Sequence, residues 1–359
     1  MIDIIVPCFN TEQKFLIRLF SSILCQTIVD ECNVILVNDA SDNEHFETYE
    51  VMSEIYNNLG LKMTLLTLEK NSGPATARQF GIDNSHSEFI AFADSDDVFH
   101  SPNALEILKS CMNDNIDIVS GGFIEIISNE ETSIHNNDDT IWLFSKLFRR
   151  SFLEENNIRF TEGRRANEDS EFNFIARFYT DRIAYVDDIS YEWRHDNENS
   201  IASHDNRFYT MDQSFIGMCE IVIDIDKKYG DEFRDKVDKL IINRMIHAYY
   251  GCVIASALYP EFVEQSMYYA HKLYHYCWKK FDKEIINDNF RIITLNKFNK
   301  TNMPIPYMSF PQFLEFFEKH EFHEEDIVEI QKKLWNDEEL KPMFENNIKS
   351  GSVPQDYYD

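Results

Sequence analysis

Four short apolar segments alternate with three helix-like segments in the first hundred residues, and this alternation most constrains the fold. The apolar segments read IDIIVPCF, NVILVND, KMTLLTLE and EFIAFAD. The stretches between them, such as TEQKFLIRLFSSILCQT, repeat apolar residues at the spacing of one helical face. A βαβαβαβ order predicts an α/β fold with a mostly parallel sheet and helices on both faces.

Polar residues stand where each predicted strand ends. They are Asn10 after the first strand, Asn38 and Asp39 at the end of the second, Asn71 after the third, and Asp94 and Asp96 at the end of the fourth. Ligands of open α/β sheets bind at the carboxyl ends of the strands. We therefore expect these side chains to meet at one ligand site.

The segment EFIAFADSDDVFHSP places three carboxylates, Asp94, Asp96 and Asp97, within four positions. Residues two apart on a strand point the same way, so Asp94 and Asp96 are expected to face one site. Two carboxylates suit Mg²⁺ or Mn²⁺ when water or phosphate fills the remaining positions. The alternative is a solvated turn capped by Asp97, and the cluster by itself does not decide between them.

The segment NSGPATARQFGI contains the opening of a helix at Gly73 and Pro74. Free N–H groups at such a helix start favour an anion. Arg78, on the first turns, is placed to reach a phosphate. The alternative is a capped helix with an exposed arginine.

Taken together, these segments resemble the nucleotide-sugar half of the family 2 glycosyltransferases, which have the GT-A fold. The resemblance lies in VPCFN, LVNDASDN, NSGPATARQFGI and FADSDD, in this order, and covers about residues 1–205. KLFRRSFLEENNIRFTEG, RRANEDSEF and YEWRHDNENSIAS continue it. It implies a metal-dependent, inverting transferase that takes a sugar from a nucleotide-sugar donor, most simply one linked to UDP.

The resemblance also implies donor contacts at particular positions. Pro7 and Phe9 would shape the pocket for the base, and Asp39 would accept a hydrogen bond from the uracil ring. Arg78 and Asp94 would face the ribose and the diphosphate. The remaining implied donor contacts are Asn10, Asn71, Gly73 and Ser95.

The same resemblance assigns the metal ligands and the base. Asp96, with Asp94, would bind Mn²⁺ or Mg²⁺, and His195 would be an extra ligand, with Asp196 and His204 as rivals. Asp169 would take the proton from the acceptor hydroxyl, because that hydroxyl is a poor nucleophile without a positioned base. Acids at a helix start also serve the helix dipole, so a structural role for Asp169 is the alternative, and Glu168 is its nearest rival.

The net charge and the composition limit the classes of partner and acceptor that we expect. The formal net charge of −29 makes non-specific attraction to nucleic acid weak, although a local basic patch is not excluded. A surface polysaccharide or wall polymer is the expected acceptor. The rivals are glycosylation of modified DNA bases and a sugar-nucleotide binding module without catalysis. Arg149, Arg150, Arg164 and Arg165 either hold an anionic acceptor or form a solvated surface.

The cysteines and the apolar segments predict a cytoplasmic protein. No pair of the seven cysteines has C-x-x-C spacing, which favours reduced thiols. No basic leader is evident, and no apolar stretch has the length of a transmembrane segment.

The character of the sequence changes from about residue 210. We expect a catalytic domain over residues 1–205 and a mostly helical region over residues 206–359 that serves acceptor binding or homo-oligomerisation. Its aromatic residues either stack on sugars or form a helical core, and the core is the interpretation that we favour. They are Tyr249, Tyr250, Tyr268, Tyr269, Tyr274, Tyr276 and Trp278.

Overall fold

A computed structural model describes residues 1–127, 131–164, 167–197, 207–253, 260–280 and 310–319. The chain divides into two compact units, Met1–Arg207 and Phe208–Asp359. Arg165 and His204 lie outside the described residues, as does the side chain of Tyr250.

The first unit is built on one sheet, in which the described residues form nine strands. They are β1 Ile2–Cys8, β2 Cys32–Asn38, β3 Lys62–Thr67, β4 Phe89–Phe92, β5 Val98–Phe99, β6 Ile118–Ile126, β7 Thr132–His135, β8 Lys146–Arg149 and β9 Ile183–Arg194. Their order is β3-β2-β1-β4-β8-β6-β9-β5, and β7 pairs with β6.

Half of this sheet has the parallel pairing that the sequence predicts. Strand β1 is parallel to β2 and to β4, and β2 is parallel to β3. The other half is mixed, because β8 runs antiparallel to both β4 and β6. The carboxyl ends of β1, β2 and β4 therefore lie along one edge, where the predicted site residues begin.

Six helices belong wholly to the first unit. They are α1 Gln13–Leu24, α2 Asn43–Asn58, α3 Pro74–Asp83, α4 Ala104–Ser110, α5 Arg150–Glu155 and α6 Glu168–Tyr179, with a 3-10 turn at Val29–Glu31. Helix α1 buries the face that its periodicity predicts, Phe15, Leu16, Leu19, Phe20 and Ile23. These side chains join the apolar strands in the core.

Helix α3 lies unusually close to the sheet at Gly81. A Cβ atom at this position would come within 2.4 Å of Ile5 Cγ2 on β1. Only glycine allows that approach without movement of one of the two elements. The close packing sets the position of α3, which contains Arg78.

The described part of the second unit is helical. Its helices are α7 Arg207–Tyr229, which begins at the unit boundary, α8 Arg234–Val253, α9 Pro260–Tyr276 and α10 Phe310–Lys319, with a 3-10 turn at Trp278–Lys280. Tyr249, Tyr268, Tyr274 and Trp278 are buried. The Tyr249 and Phe313 rings are 5.4 Å apart, so the aromatic side chains that are buried here form a helical core.

Within the described ranges, none of the helices combines the length and the apolar character that crossing a bilayer requires.

Candidate active site

Arg78 is the centre of the site, because its guanidinium joins carboxylates from two distant parts of the chain. Its Nη1 donates to Glu168 Oε1 at 2.7 Å and to Asp169 Oδ1 at 2.9 Å, and its Nη2 donates to Asp94 Oδ1 at 2.7 Å. The Arg78 side chain is only 5% exposed. The residue that follows β4 and the first turn of α6 are thereby held together, and the alternative of an exposed arginine is wrong.

Asp39 positions the helix that contains Arg78. Its Oδ1 accepts the N–H of Ser72 at 2.7 Å and its Oδ2 accepts the N–H of Gly73 at 2.8 Å. Gly73 has φ 88°, in the left-handed region that favours glycine, and Pro74 begins α3. The carboxylate at the end of β2 thus anchors the turn into α3. A carboxylate can accept about four hydrogen bonds, and these two N–H groups do not by themselves fill it. The bond from Asp39 to the uracil ring therefore remains a prediction.

The electrostatics of this cluster concern three carboxylates and one guanidinium. The pKa of Asp169 is raised well above its usual range, mainly by burial and also by the negative charges of Glu168 and Asp94. The positive charge of Arg78 opposes this rise but does not cancel it. Burial alone would lower the pKa of Arg78, but the attraction of the three carboxylates outweighs burial and raises it. Asp169 is therefore a buried carboxyl with a raised proton affinity, which is the property that a general base needs.

The acidic turn after β4 is held by the chain rather than solvated. Asp97 is 1% exposed, and its Oδ1 accepts the N–H of Arg194 at 2.8 Å. Asp96 Oδ2 accepts the side-chain amide of Asn197 at 2.7 Å. Burial raises the pKa of Asp96, and the neighbouring Asp94 raises it further. The alternative of a solvated turn is wrong for Asp97.

Arg18 and Asn197 contact this turn, and the sequence analysis did not find them. Arg18, on α1, binds both carboxylate oxygens of Asp196, at 2.5 and 3.0 Å, and also the backbone carbonyl of Asp96. The contacts of Arg18 could not be predicted from the sequence, because arginines are common on helix surfaces. Ser95 points to Thr11, with 2.8 Å between the two hydroxyl oxygens.

Three of the residues predicted to shape a pocket for the base, Pro7, Phe9 and Asn10, lie at the end of β1. Phe9 is 51% exposed, an unusual degree for a phenylalanine directly after a buried strand. Pro7 and Asn71 are partly exposed. Asn10 has φ 50°, and its side-chain oxygen accepts the N–H of Asp42 at 3.0 Å. The pocket for the base remains a prediction, and the exposed Phe9 side chain is accessible to a ligand.

His195, the predicted extra metal ligand, lies beside a carboxylate of β6. Its Nε2 lies 2.9 Å from Glu125 Oε1, and His135 Nε2 lies 2.9 Å from Glu125 Oε2. In the part of the chain that the structure describes, no three His, Cys, Asp or Glu side chains are grouped to hold a metal ion. The ligand role of His195 remains a prediction.

The described arginines of the local basic group are engaged in ion pairs. Arg149 Nη1 lies 3.1 Å from Glu88 Oε1, and Arg164 Nε lies 3.1 Å from Glu171 Oε2. Arg150 pairs with Glu154. A role for these arginines in holding an anionic acceptor remains a prediction.

Comparison with known proteins identifies the region that contains this site. Residues 3–172, from β1 into α6, match the family model described as Glycosyl transferase family 2. This region belongs to glycosyl transferase family 2. The resemblance stated from the motifs is thereby confirmed, and the family 2 region contains both Arg78 and Asp169.

Curated relatives extend the match. The chain is 27% identical over 223 residues to the uncharacterized glycosyltransferase EpsJ of Bacillus subtilis strain 168, covering 56% of this chain and 62% of EpsJ. It is 26% identical over 234 residues to the poly(ribitol-phosphate) beta-N-acetylglucosaminyltransferase TarS of Staphylococcus aureus strain Mu50, covering 61% of this chain and 39% of TarS. The chain thus spans less than two thirds of either relative.

A solved structure shows the same fold. The crystal structure of S. aureus TarS residues 1–349 in complex with UDP-GlcNAc superposes with a TM-score of 0.59 at 19% identity, covering 76% of this chain and 81% of that chain. The GT-A fold that the motifs predict is confirmed.

Proposed function

We propose that this protein transfers a sugar from a UDP-linked donor to a hydroxyl of a cell-surface or wall polymer. The family match and the relationship to a poly(ribitol-phosphate) glycosyltransferase support this proposal. The observation that carries it is the Arg78 contact, in which one buried guanidinium joins the donor-side Asp94 to Asp169.

In this proposal the donor lies along the carboxyl ends of β1, β2 and β4. The exposed Phe9 ring covers one face of the uracil, and Pro7 and Asn10 shape the pocket. Asp39 accepts the uracil N–H while it holds the turn at Gly73. Asn71 and Ser95 line the path to the diphosphate.

Asp94 and Asp96 would hold a divalent cation. Their carboxylates fit Mg²⁺ or Mn²⁺, because both ions prefer hard oxygen donors and accept phosphate and water as further ligands. Burial beside Asp94 disfavours a bare negative charge on Asp96, and a cation at this place would relieve that cost. When bound, the ion neutralises the charge of the departing diphosphate. His195 would join only after leaving Glu125, so two protein ligands are proposed.

Asp169 would take the proton from the acceptor hydroxyl. Arg78 holds one of its oxygens at 2.9 Å and orients the carboxyl. A single in-line displacement with one base inverts the anomeric centre, and no covalent intermediate is involved.

The direct test is a transfer assay. Purified protein is incubated with UDP-GlcNAc and other UDP-sugars, Mn²⁺ or Mg²⁺, and poly(ribitol phosphate) or other polymers, and the product is examined by NMR. We expect transfer with inversion in the presence of the metal. Retention of configuration would contradict the mechanism, and donor binding without turnover on any polymer would favour a binding module.

The rival acceptors and the remaining expectations have their own tests. The relatives do not favour a DNA substrate, and the net charge of −29 argues against one.

The cytoplasmic location and the homo-oligomer through the C-terminal helices stay predictions. Cell fractionation and light scattering test them.

A further inference from the structure

A lysine is buried beside the helix that contains the candidate base. Lys146, the first residue of β8, is 2% exposed. Its Nζ donates to the carbonyl oxygen of Trp142 at 2.6 Å and lies 3.7 Å from Asp139 Oδ1. Lysine is almost never fully buried unless it is paired, and none of the proposed donor, metal or base contacts involves this one.

The Trp142 carbonyl links Lys146 to α6. The same oxygen accepts the side-chain amide of Asn173 at 2.9 Å. Asn173 follows Asp169 by four residues, so the two side chains lie on the same face of α6, one turn apart. The rings of Phe148 on β8 and Phe172 on α6 are 5.7 Å apart, which packs the two elements together.

The charges that face Lys146 come from this helix and from one loop. They are Asp139 from the loop before β8, and Asp169 and Arg177 from α6. Burial lowers the pKa of Lys146 to about 8, while Asp139 and Asp169 oppose that change. In return, Lys146 is a cation that lowers the pKa of Asp169, in addition to Arg78.

We propose that Lys146 is a positioning residue for Asp169. Through the shared Trp142 carbonyl it fixes the first turns of α6, and its ammonium supplies a positive charge behind the base that is separate from Arg78. This inference rests on the proposed function, because it takes Asp169 as the base. The charge of Arg78 is divided between Asp169 and the donor-side Asp94. Lys146 belongs to β8 and supplies a second positive charge to Asp169.

A structural role and a functional role are separated by titration rather than by stability. Lys146→Met removes one partner of the buried contact with Asp139 and the donor to the Trp142 carbonyl, so we expect it to lower the melting temperature. Lys146→Gln keeps a donor for that carbonyl. A lysine retained only for stability would leave the titration of Asp169 unchanged on replacement.

The test compares the pH profiles of kcat/KM in four proteins. They are the wild type, Lys146→Met, Lys146→Gln, and Lys109→Met, which removes a surface lysine paired with Glu31. Glutamine can still donate to the Trp142 carbonyl but has no charge. Because kcat/KM reports the ionisation of the free enzyme, loss of the ammonium should move its acid limb upward by about 0.5–1 pH unit in both Lys146 variants.

We also expect kcat/KM to fall about tenfold at neutral pH in Lys146→Met, with the Lys109 variant unchanged. Acid limbs of both Lys146 variants that superpose on the wild type would overturn the inference. If the methionine variant does not fold, the glutamine variant decides the question alone.

A second measurement does not need turnover. The Asp169 carboxyl can be titrated by NMR in protein labelled with ¹³C-aspartate, and Asp169→Asn assigns the signal. We expect the Asp169 pKa to be higher in Lys146→Gln than in the wild type, and an unchanged value would overturn the inference. Absence of transfer by the wild type would reject the proposed function separately, whatever the titration shows.

Discussion

At the scale of single residues, the site consists of three carboxylates whose charge is partly offset by a buried arginine. Arg78 contacts Asp94, Glu168 and Asp169, and the last two are adjacent in sequence. Burial raises the pKa of Asp169 well above its usual range, which is consistent with the proposal that it is the base.

Replacing Asp169 separates binding from chemistry. Asp169→Asn keeps the shape and can still accept a bond from Arg78, but it cannot take a proton. We expect transfer to fall by at least about a hundredfold while the Kd for the UDP-sugar changes less than about threefold. Isothermal titration and the transfer assay measure the two effects. Glu168→Gln is the matched control, and undiminished turnover in Asp169→Asn would exclude this base.

Asp3 is another buried carboxylate, at the opposite end of β1, and its hydrogen bonds indicate a role in stability. Its oxygens accept bonds from Asn33, from the hydroxyls of Ser85 and Ser87, and from the N–H groups of His86 and Ser87. Burial raises its pKa, but these donors outweigh burial and the net pKa is lowered.

The pH dependence of stability follows from that lowered pKa. The stabilisation by Asp3 is fully present above the unfolded pKa of about 3.9, and it is lost as pH falls through the lower folded value. Asp3→Asn should destabilise the protein by about 2–3 kcal/mol at pH 7. Urea unfolding at pH 7 and pH 3 should show the difference between variant and wild type shrinking at pH 3. A constant difference would contradict the assignment.

At the scale of elements, the site depends on how closely α3 approaches the sheet. Gly73 and Asp39 determine where α3 begins, and Gly81 allows it to pack on Ile5. Two hydrogen bonds join α6 to α3, and both come from side chains at the start of α6, Glu168 and Asp169. A small movement of either helix would separate Arg78 from its partners.

Gly81→Ala tests this packing. The added Cβ would come within 2.4 Å of Ile5 Cγ2, and we expect a loss of about 1–3 kcal/mol of stability with weaker donor binding. Thermal unfolding measures the loss. Ile5→Ala removes the atoms that the new Cβ would meet. The double variant should therefore lose less stability than the sum of the losses in the two single variants. Strict additivity would show that the contact is not the cause.

At the scale of the whole molecule, the described structure has an α/β unit containing the site and a helical unit with its own aromatic core. The acidic chain makes the proposed cation important, because net negative charge repels a diphosphate until a metal offsets it. Donor and metal are therefore expected to bind together.

A thermal-shift experiment measures that coupling. UDP and Mn²⁺ together should raise the melting temperature more than the sum of their separate effects, because both bind the folded state. EDTA should abolish the UDP effect. Asp96→Asn should remove most of the joint effect, and Asp114→Asn, an exposed acid of the same type, serves as the control. An equal UDP shift with and without metal would contradict the metal proposal.

The sequence by itself determined the strand and helix alternation, the parallel pairing of β1 to β4, and the carboxylates and asparagines at the strand ends. These follow from local periodicity and from the rule that ligands meet at one edge of such a sheet. Only the tertiary structure decided that Arg78 reaches Glu168 and Asp169, about ninety residues away. It also decided that Arg18 and Asn197 contact the acidic turn, and that Lys146 shares the Trp142 carbonyl with Asn173 of α6. Such contacts depend on packing between distant segments, and an arginine or lysine has no local pattern that reveals its partner.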